Sequence, residues 1–223
     1  MESSYILQIT STMLQGAKIT ILVFFVVIIA SLPLGFIVTL LGRSKFKPLS
    51  YLITIYITIM RGTPLILQLI FVFYALPNIP VIGKYLVLDR IPAALLAFTL
   101  NYAAYFAEIF RGGLLAIDKG QSEAAKVLGF NKIQTFIHII IPQMIRVTLP
   151  ALSNESITLV KDTSLLTVIS IAEISYVAKT AVTRDASVTP LIIAGILYLL
   201  LILILTIILR LIEKKFSYTS KSL

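Results

Sequence analysis

The chain has 223 residues, of which 58% are hydrophobic and only 13% charged, well below the roughly 25% charged of an average soluble domain. That balance excludes a soluble globular protein and fits an all-α integral membrane protein. A net charge of +9 would suggest a nucleic-acid partner in a soluble chain, but here the basic residues sit in short segments between apolar runs; the absence of Cys and the single His, His138, leave no disulfide, thiolate or His-cluster metal site.

The first apolar run, 19–41, carries no charge. It exceeds the roughly 7–15 residues of a signal-peptide core, has only Lys18 before it and no small-x-small cleavage site after it, so it is read as a retained span. The second run, 51–76, is interrupted at Arg61-Gly62-Thr63-Pro64. Pro64 lacks a donor and disfavours helix in Thr63, a break that serves either a ligand or a simple kink. The third, 91–110, contains Asn101 and Glu108, and a polar, helix-forming segment follows at 118–135. The fourth, 136–160, is the weakest, with Pro142, Arg146, Pro150 and Glu155 inside it. Residues 164–187 are too polar for a lipid-facing span and are expected to form short outward-facing helices or a re-entrant turn. The fifth run, 190–211, is almost purely aliphatic to Leu209. Each run is long enough for about 30 Å of hydrocarbon. With no repeat or flexible linker, the expectation is one domain, 1–223, of five transmembrane helices.

Lys and Arg set the orientation. Arg43, Lys45 and Lys47 follow the first run, Arg111, Lys119, Lys126 and Lys132 the third, and Arg210, Lys214, Lys215 and Lys221 the fifth. The opposite set, Lys18, Lys84, Arg90, Lys161, Lys179 and Arg184, is sparser over comparable length. The N-terminus is therefore expected outside and the C-terminus in the cytoplasm.

Within 118–135 and just beyond it, Glu123-Ala124-Ala125, Gly129, Ile139, Ile141 and Pro142 follow the spacing E-A-A-x3-G-x9-I-x-L-P, with Ile141 replacing Leu at conserved volume. Ser122 is placed to cap a short helix with Glu123 near its positive end. Ala124 and Ala125 are small enough for another surface to approach, and Gly129 suits a left-handed turn. Further matches run in order along the chain: Arg61-Gly62-Thr63-Pro64, the stretch Asn101 to Gly112, Gly120-Gln121, Pro142-Gln143, Asn154-Glu155 and Lys161-Asp162-Thr163-Ser164-Leu165. Together they resemble the EAA-loop permeases of polar amino-acid ABC importers, the histidine, glutamine, arginine and cystine uptake family, and the resemblance extends from about the first span to Leu211.

The resemblance implies a type I ABC importer-like transport subunit, not an enzyme, in a bacterial cytoplasmic membrane. It would pair with itself or a sister permease, meet two cytosolic ABC ATPases through Ser122, Glu123, Ala124, Ala125 and Gly129, and take a polar amino acid from an extracytoplasmic binding protein. The chain itself has no G-x-x-x-x-G-K-[ST] phosphate loop, so ATP and Mg are expected on the partner ATPase and no cofactor in this chain. H-E-x-x-H and G-x-S-x-G are also absent, which weakens a hydrolase reading. A different class, an ion-driven secondary transporter or channel, would use the same buried charges but does not explain the EAA register.

Ionised side chains at bilayer depth cost roughly 2.5–3.5 kcal/mol, so the polar residues of the spans should face protein or water. At about 1.5 Å per residue, Arg61 and Asn101 each fall roughly 15 Å into their spans and Glu155 roughly 20 Å past Pro142, near one depth. Glu155 and Asp162 are seven positions apart, close to two turns, and share a face suited to an ammonium-bearing ligand. Asn101, Tyr105 and Glu108 likewise share a face. An amino-acid zwitterion also needs a partner for its carboxylate, and Arg61, Lys161 and Thr163 are the candidates, giving with Thr63 the expected substrate-binding set. Charge neutralisation inside the bundle, Arg61 with Glu155 and Glu108 with Arg111, is the structural alternative. A basic, cystine-like or glutamine-like substrate, and a homodimer or heterodimer, remain equally open.

Overall fold

The computed structural model describes residues 2–81 and 83–217; Lys221 of the orientation argument lies outside them. Among the described residues all regular structure is helical. Helix α1 (Glu2–Gly42) is one element of 41 residues, roughly 60 Å at 1.5 Å per residue, so it begins well before the apolar run and outreaches the hydrocarbon core.

The second apolar run is two elements, α2 (Lys47–Gly62) and α3 (Leu65–Ile70), the latter continued by a π-helical turn (Phe71–Ala75) and a 3-10 turn (Leu76–Asn78). The chain bends by 107° between them. Thr63 is extended, with φ −120° and ψ 147°, the region to which a residue before proline is confined, so Pro64 ends α2 as its sterics require.

Helix α4 (Arg90–Ala116) is the centre of the bundle, with most of its apolar length buried. Ala93, Ala94, Ala97, Ala103, Ala104 and Ala107 are all buried, and such small side chains let neighbouring backbones approach. α1 packs along it most closely of all. At Gly35 a Cβ would stand 2.8 Å from the Cβ of Phe106 and 2.9 Å from the carbonyl oxygen of Ala103, so only glycine fits that crossing. Close by, the Thr39 hydroxyl donates to the Ala107 carbonyl at 2.9 Å.

The polar segment becomes α5 (Lys119–Val127) and α6 (Lys132–Thr135). α6 runs through a π-helical turn (Phe136–Ile140) into α7 (Ile141–Asp162), so the fourth membrane helix starts before Phe136, where the apolar run begins. The cause is a capping box: the Gln134 N–H donates to Asn131 Oδ1 and the Asn131 N–H to Gln134 Oε1, both at 2.9 Å. The wider turn precedes Pro142, where a donor is missing. Residues 163–169 form a 3-10 turn, Ser170 is left-handed with φ 56°, and α8 (Ile174–Asp185) follows, which are the short helices expected of 164–187.

α8 is anchored at both ends. Glu173, fully buried, accepts the N–H groups of Ser175 at 2.9 Å and Tyr176 at 2.7 Å and the hydroxyl of Tyr198 at 2.6 Å. Asp185 is held by Arg184 at 2.6 Å and by the Tyr5 hydroxyl at 2.7 Å. Those two bonds, Arg184 first, lower the Asp185 carboxyl to about 2. The tie is therefore complete above the ordinary carboxylate range near 3.9 and is lost as pH falls through the lowered value.

Helix α9 (Thr189–Ser217) closes the bundle and leaves most of its aliphatic surface exposed. α1, α4, α9 and the helix over 132–169 are each long and apolar enough to cross a membrane, and the bent α2–α3 pair makes a fifth if it counts as one span.

Candidate functional site

Three elements converge midway along α4: its own central turns, the break between α2 and α3, and the C-terminal half of α7. They enclose a cleft of about 360 Å³, within the roughly 300–1,000 Å³ common for small-molecule sites. Thr63, Asn101, Tyr102, Tyr105, Glu155 and Asp162 line it. The two carboxylates thus meet in one cavity, as their seven-residue spacing requires. Neither forms an ion pair with any described residue; Asp162 Oδ2 accepts the Tyr102 hydroxyl at 2.7 Å.

Asn101 stitches the broken span to α4. Its Nδ2 donates to the Met60 carbonyl at 3.0 Å and to Gln68 Oε1 at 2.9 Å, while Gln68 Nε2 donates to the same carbonyl at 2.9 Å and to Thr63 Oγ1 at 2.8 Å. The Met60 carbonyl in the last turn of α2, left without a helical donor by the proline, is thereby satisfied, and the break is fixed as one wall of the cleft. Thr63 lines that wall.

Three expected residues lie elsewhere. Lys161 is exposed and outside the cleft, and Thr163 is buried with its hydroxyl donating to the Val160 carbonyl at 2.7 Å. One step along a helix turns a side chain by about 100°, so the immediate neighbours of Asp162 point away from what it faces. Arg61 lines a second cleft of about 630 Å³, together with Arg43, Tyr105, Glu108 and Arg111. Its Nη1 lies 3.5 Å from Glu108 Oε2 and its guanidinium 5.3 Å from the centre of the Tyr105 ring, so it pairs with Glu108 and not with Glu155. Arg111 donates from Nε and Nη2 to both Glu108 oxygens at 2.8 Å, the neutralising pair expected at i, i+3.

Tyr102 and Gln68 were not in the expected set. Tyr102 is one position from Asn101 and so falls off the Asn101–Tyr105–Glu108 face, although its three-residue spacing from Tyr105 was the available signal. Gln68 lies past the break, where phase cannot be carried over from α2.

The polar segment over 118–135 has its own geometry. Asp118, not Ser122, caps α5: its Oδ1 accepts the Gly120 N–H at 2.6 Å, which leaves Ser122 inside the first turns. The extra turn arises because Lys119-Gly120-Gln121 continues the helix toward its N-terminus. Gly129 is left-handed with φ 85°; the Phe130 N–H donates to the Ala125 carbonyl at 3.0 Å and the Gly129 N–H to the Lys126 carbonyl at 3.1 Å, a Schellman termination. Glu123 and Ala124 are exposed while Ala125 is buried against the rest of the chain, and Gln143 Nε2 donates to Gln121 Oε1 at 3.1 Å, tying α5 to α7. Val127, Leu128 and Ile133 stand 87%, 75% and 70% exposed on this polar segment. His138 is exposed with its Nδ1 beside the Gln134 carbonyl.

A family model for the inner membrane component of binding-protein-dependent transport systems matches residues 31–218. The chain belongs to this family. Among its relatives, this permease is 39% identical to the arginine transport system permease protein ArtQ of Bacillus subtilis (strain 168), over 91% of each chain. It is 37% identical to the L-cystine transport system permease protein TcyB of the same organism, over 84% of this chain and 80% of that one. In three dimensions it matches a crystal structure of an amino acid ABC transporter with histidines at a TM-score of 0.85 and 30% identity, covering 94% and 96% of the two chains. An inward-facing structure of the MetNI methionine ABC transporter matches at a TM-score of 0.70 and 18% identity, covering 90% and 92%, a likeness of fold. The architecture is that of a type I ABC importer permease, and the reading as an ion-driven transporter or channel is set aside by family and fold together.

Proposed function

We propose that this permease carries a polar amino acid across a bacterial cytoplasmic membrane, and that the Glu155–Asp162 cleft holds the substrate by its ammonium. The observation that carries this reading is the pair of carboxylates facing one cavity with no ion pair to any described residue, Arg61 and Lys161 acting on them only from a distance. A charge at bilayer depth without a partner is costly, and an ammonium entering the cleft would satisfy both acids by charge-assisted bonds. Tyr102 orients Asp162, and Thr63, Asn101 and Tyr105 line the rest of the cleft around the ligand.

The permease pairs with a copy of itself or a sister chain, and two cytosolic ATPases supply the work, with ATP and Mg bound on them. Ser122, Glu123, Ala124 and Gly129 form the surface they grip, while Ala125, expected with them, is buried beneath it and holds α5 against the rest of the chain. Three exposed apolar residues of the same segment suit burial in a groove. An extracytoplasmic amino-acid-binding protein delivers the ligand, and ATP-driven closure of the ATPases moves α5 and changes the side to which the cleft opens.

Two measurements test the proposal. In the reconstituted complex with its binding protein, one or a few polar amino acids should stimulate ATP hydrolysis, whereas sugars and inorganic ions should not; no response to any amino acid would reject the substrate class. Reporters fused after Lys47 and Lys215 should report the cytoplasm and one after Lys84 the exterior. A cytoplasmic signal at Lys84 would overturn the assigned orientation.

A further inference from the structure

Tyr105 lines both clefts, and they differ in charge. The cleft of about 360 Å³ contains Glu155 and Asp162 and no basic residue, whereas that of about 630 Å³ contains Arg43, Arg61 and Arg111 against a single acid, Glu108. The second cleft also extends to Gly42 and Arg43 at the end of α1, while α4 continues from Arg111 toward the α5 segment. At the shared wall the Arg61 guanidinium lies 5.3 Å from the Tyr105 ring centre, within the about 6 Å reach of a cation–π contact, and is held there by Glu108. Glu108 is in turn fixed by two bonds from Arg111.

We propose that Arg61 on Tyr105 is the inner barrier of the translocation path, an electrostatic gate that keeps an ammonium-bearing substrate in the acidic cleft until α2 withdraws. A substrate cation leaving toward the α5 end meets a ring face already occupied by a fixed guanidinium, and beyond it a wall of like charge. α2 has no buried residue and ends one residue past Arg61 at the 107° bend, so its withdrawal breaks the bonds from Asn101 and Gln68 to the Met60 carbonyl and from the Tyr56 hydroxyl to the Leu100 carbonyl but uncovers little apolar core. Glu108 keeps both bonds to Arg111 when Arg61 leaves, so opening the gate strands no acid. Arg61 is thus a positioning and selectivity residue, distinct from the carboxylate partner expected from its place in the sequence.

This inference rests on the substrate reading of the Glu155–Asp162 cleft, and its test separates the two. Liposomes containing the complete transporter are loaded with radiolabelled L-arginine, with L-glutamine as a neutral probe, and efflux is followed without ATP. Arg61→Gln and Tyr105→Leu should raise L-arginine efflux by about tenfold, the change given by about 1.4 kcal/mol of lost barrier. L-glutamine efflux should rise less, because its carboxylate offsets its ammonium whereas L-arginine carries a net positive charge past the arginines. Arg61→Lys should stay near the wild type, because an ammonium can still occupy the ring face. Wild-type L-arginine efflux in Arg61→Gln would overturn the gate, as would equal leakage in Arg61→Gln and Arg61→Lys, which would assign Arg61 to packing. If Glu155→Gln and Asp162→Asn transport normally while Arg61→Gln leaks, the substrate reading fails and the barrier stands; impaired uptake in the acid variants with a tight Arg61→Gln gives the reverse.

Discussion

Replacing Glu155 by Gln or Asp162 by Asn is expected to lower substrate-stimulated uptake by about tenfold or more, equivalent to at least about 1.4 kcal/mol of transition-state stabilisation, without loss of assembly. Each change keeps size and hydrogen-bonding capacity and removes one charge. Charge-assisted bonds are roughly twice as strong as neutral ones, so an ammonium in the cleft would lose much of its attraction to the altered site. An Asn at 162 still accepts the Tyr102 hydroxyl, so the local structure of α7 has no reason to change. Removing a carboxylate that has no ion pair relieves a desolvation cost as well, and the variants should be at least as stable as the wild type. Capture belongs to the extracytoplasmic binding protein, whose affinity should be unaffected. Near-normal uptake in both variants, with wild-type assembly, would assign these acids to the bundle and remove them from the path.

The second large effect is expected at Gly129. Its φ of 85° lies where a side chain costs roughly 1–2 kcal/mol, and a Cβ there would meet nothing within 4 Å, so the penalty is one of backbone and not of crowding within the chain. Gly129→Ala should therefore loosen the end of α5 modestly. Gly129→Trp adds a large side chain on the face assigned to the ATPase, and should leave membrane insertion intact while abolishing ATPase association or coupling. Co-purification of the ATPase together with substrate-stimulated hydrolysis reads both. Survival of transport and association in Gly129→Trp would place the docking surface elsewhere.

These two sites show what the sequence carries and what it does not. Glu155 and Asp162 share a cleft because a seven-residue interval on an unbroken helix fixes relative direction, and α7 is continuous through both. Asn101 and Tyr105 came together for the same reason on α4. The failures lie where phase does not propagate. Arg61 sits at the end of a helix whose bend of 107° no periodicity encodes, and it meets Glu108 across that interruption. Lys161 and Thr163 have the chemistry to meet a ligand carboxylate, but they flank Asp162, and adjacency on a helix separates side chains. Ser122 lost the capping role because the residues before it, Lys119 to Gln121, continue the helix to Asp118, which has the same capping chemistry. Gly129 needed no such context, since a left-handed terminus is a property of the residue itself. The buried Glu173 gave no signal in the sequence, because its partner Tyr198 is supplied by another helix.

The most direct measurement is the position of a bound amino acid in a structure of the complete transporter, solved with the substrate that stimulates its ATPase. The account predicts ligand density in the cleft between α4 and α7, with the ammonium about 2.7–2.9 Å from carboxylate oxygens of Glu155 and Asp162 and Arg61 still over the Tyr105 ring while the path to the α5 end is closed. A ligand bound outside that cleft, or one that presents its carboxylate to Glu155 and Asp162, would contradict it.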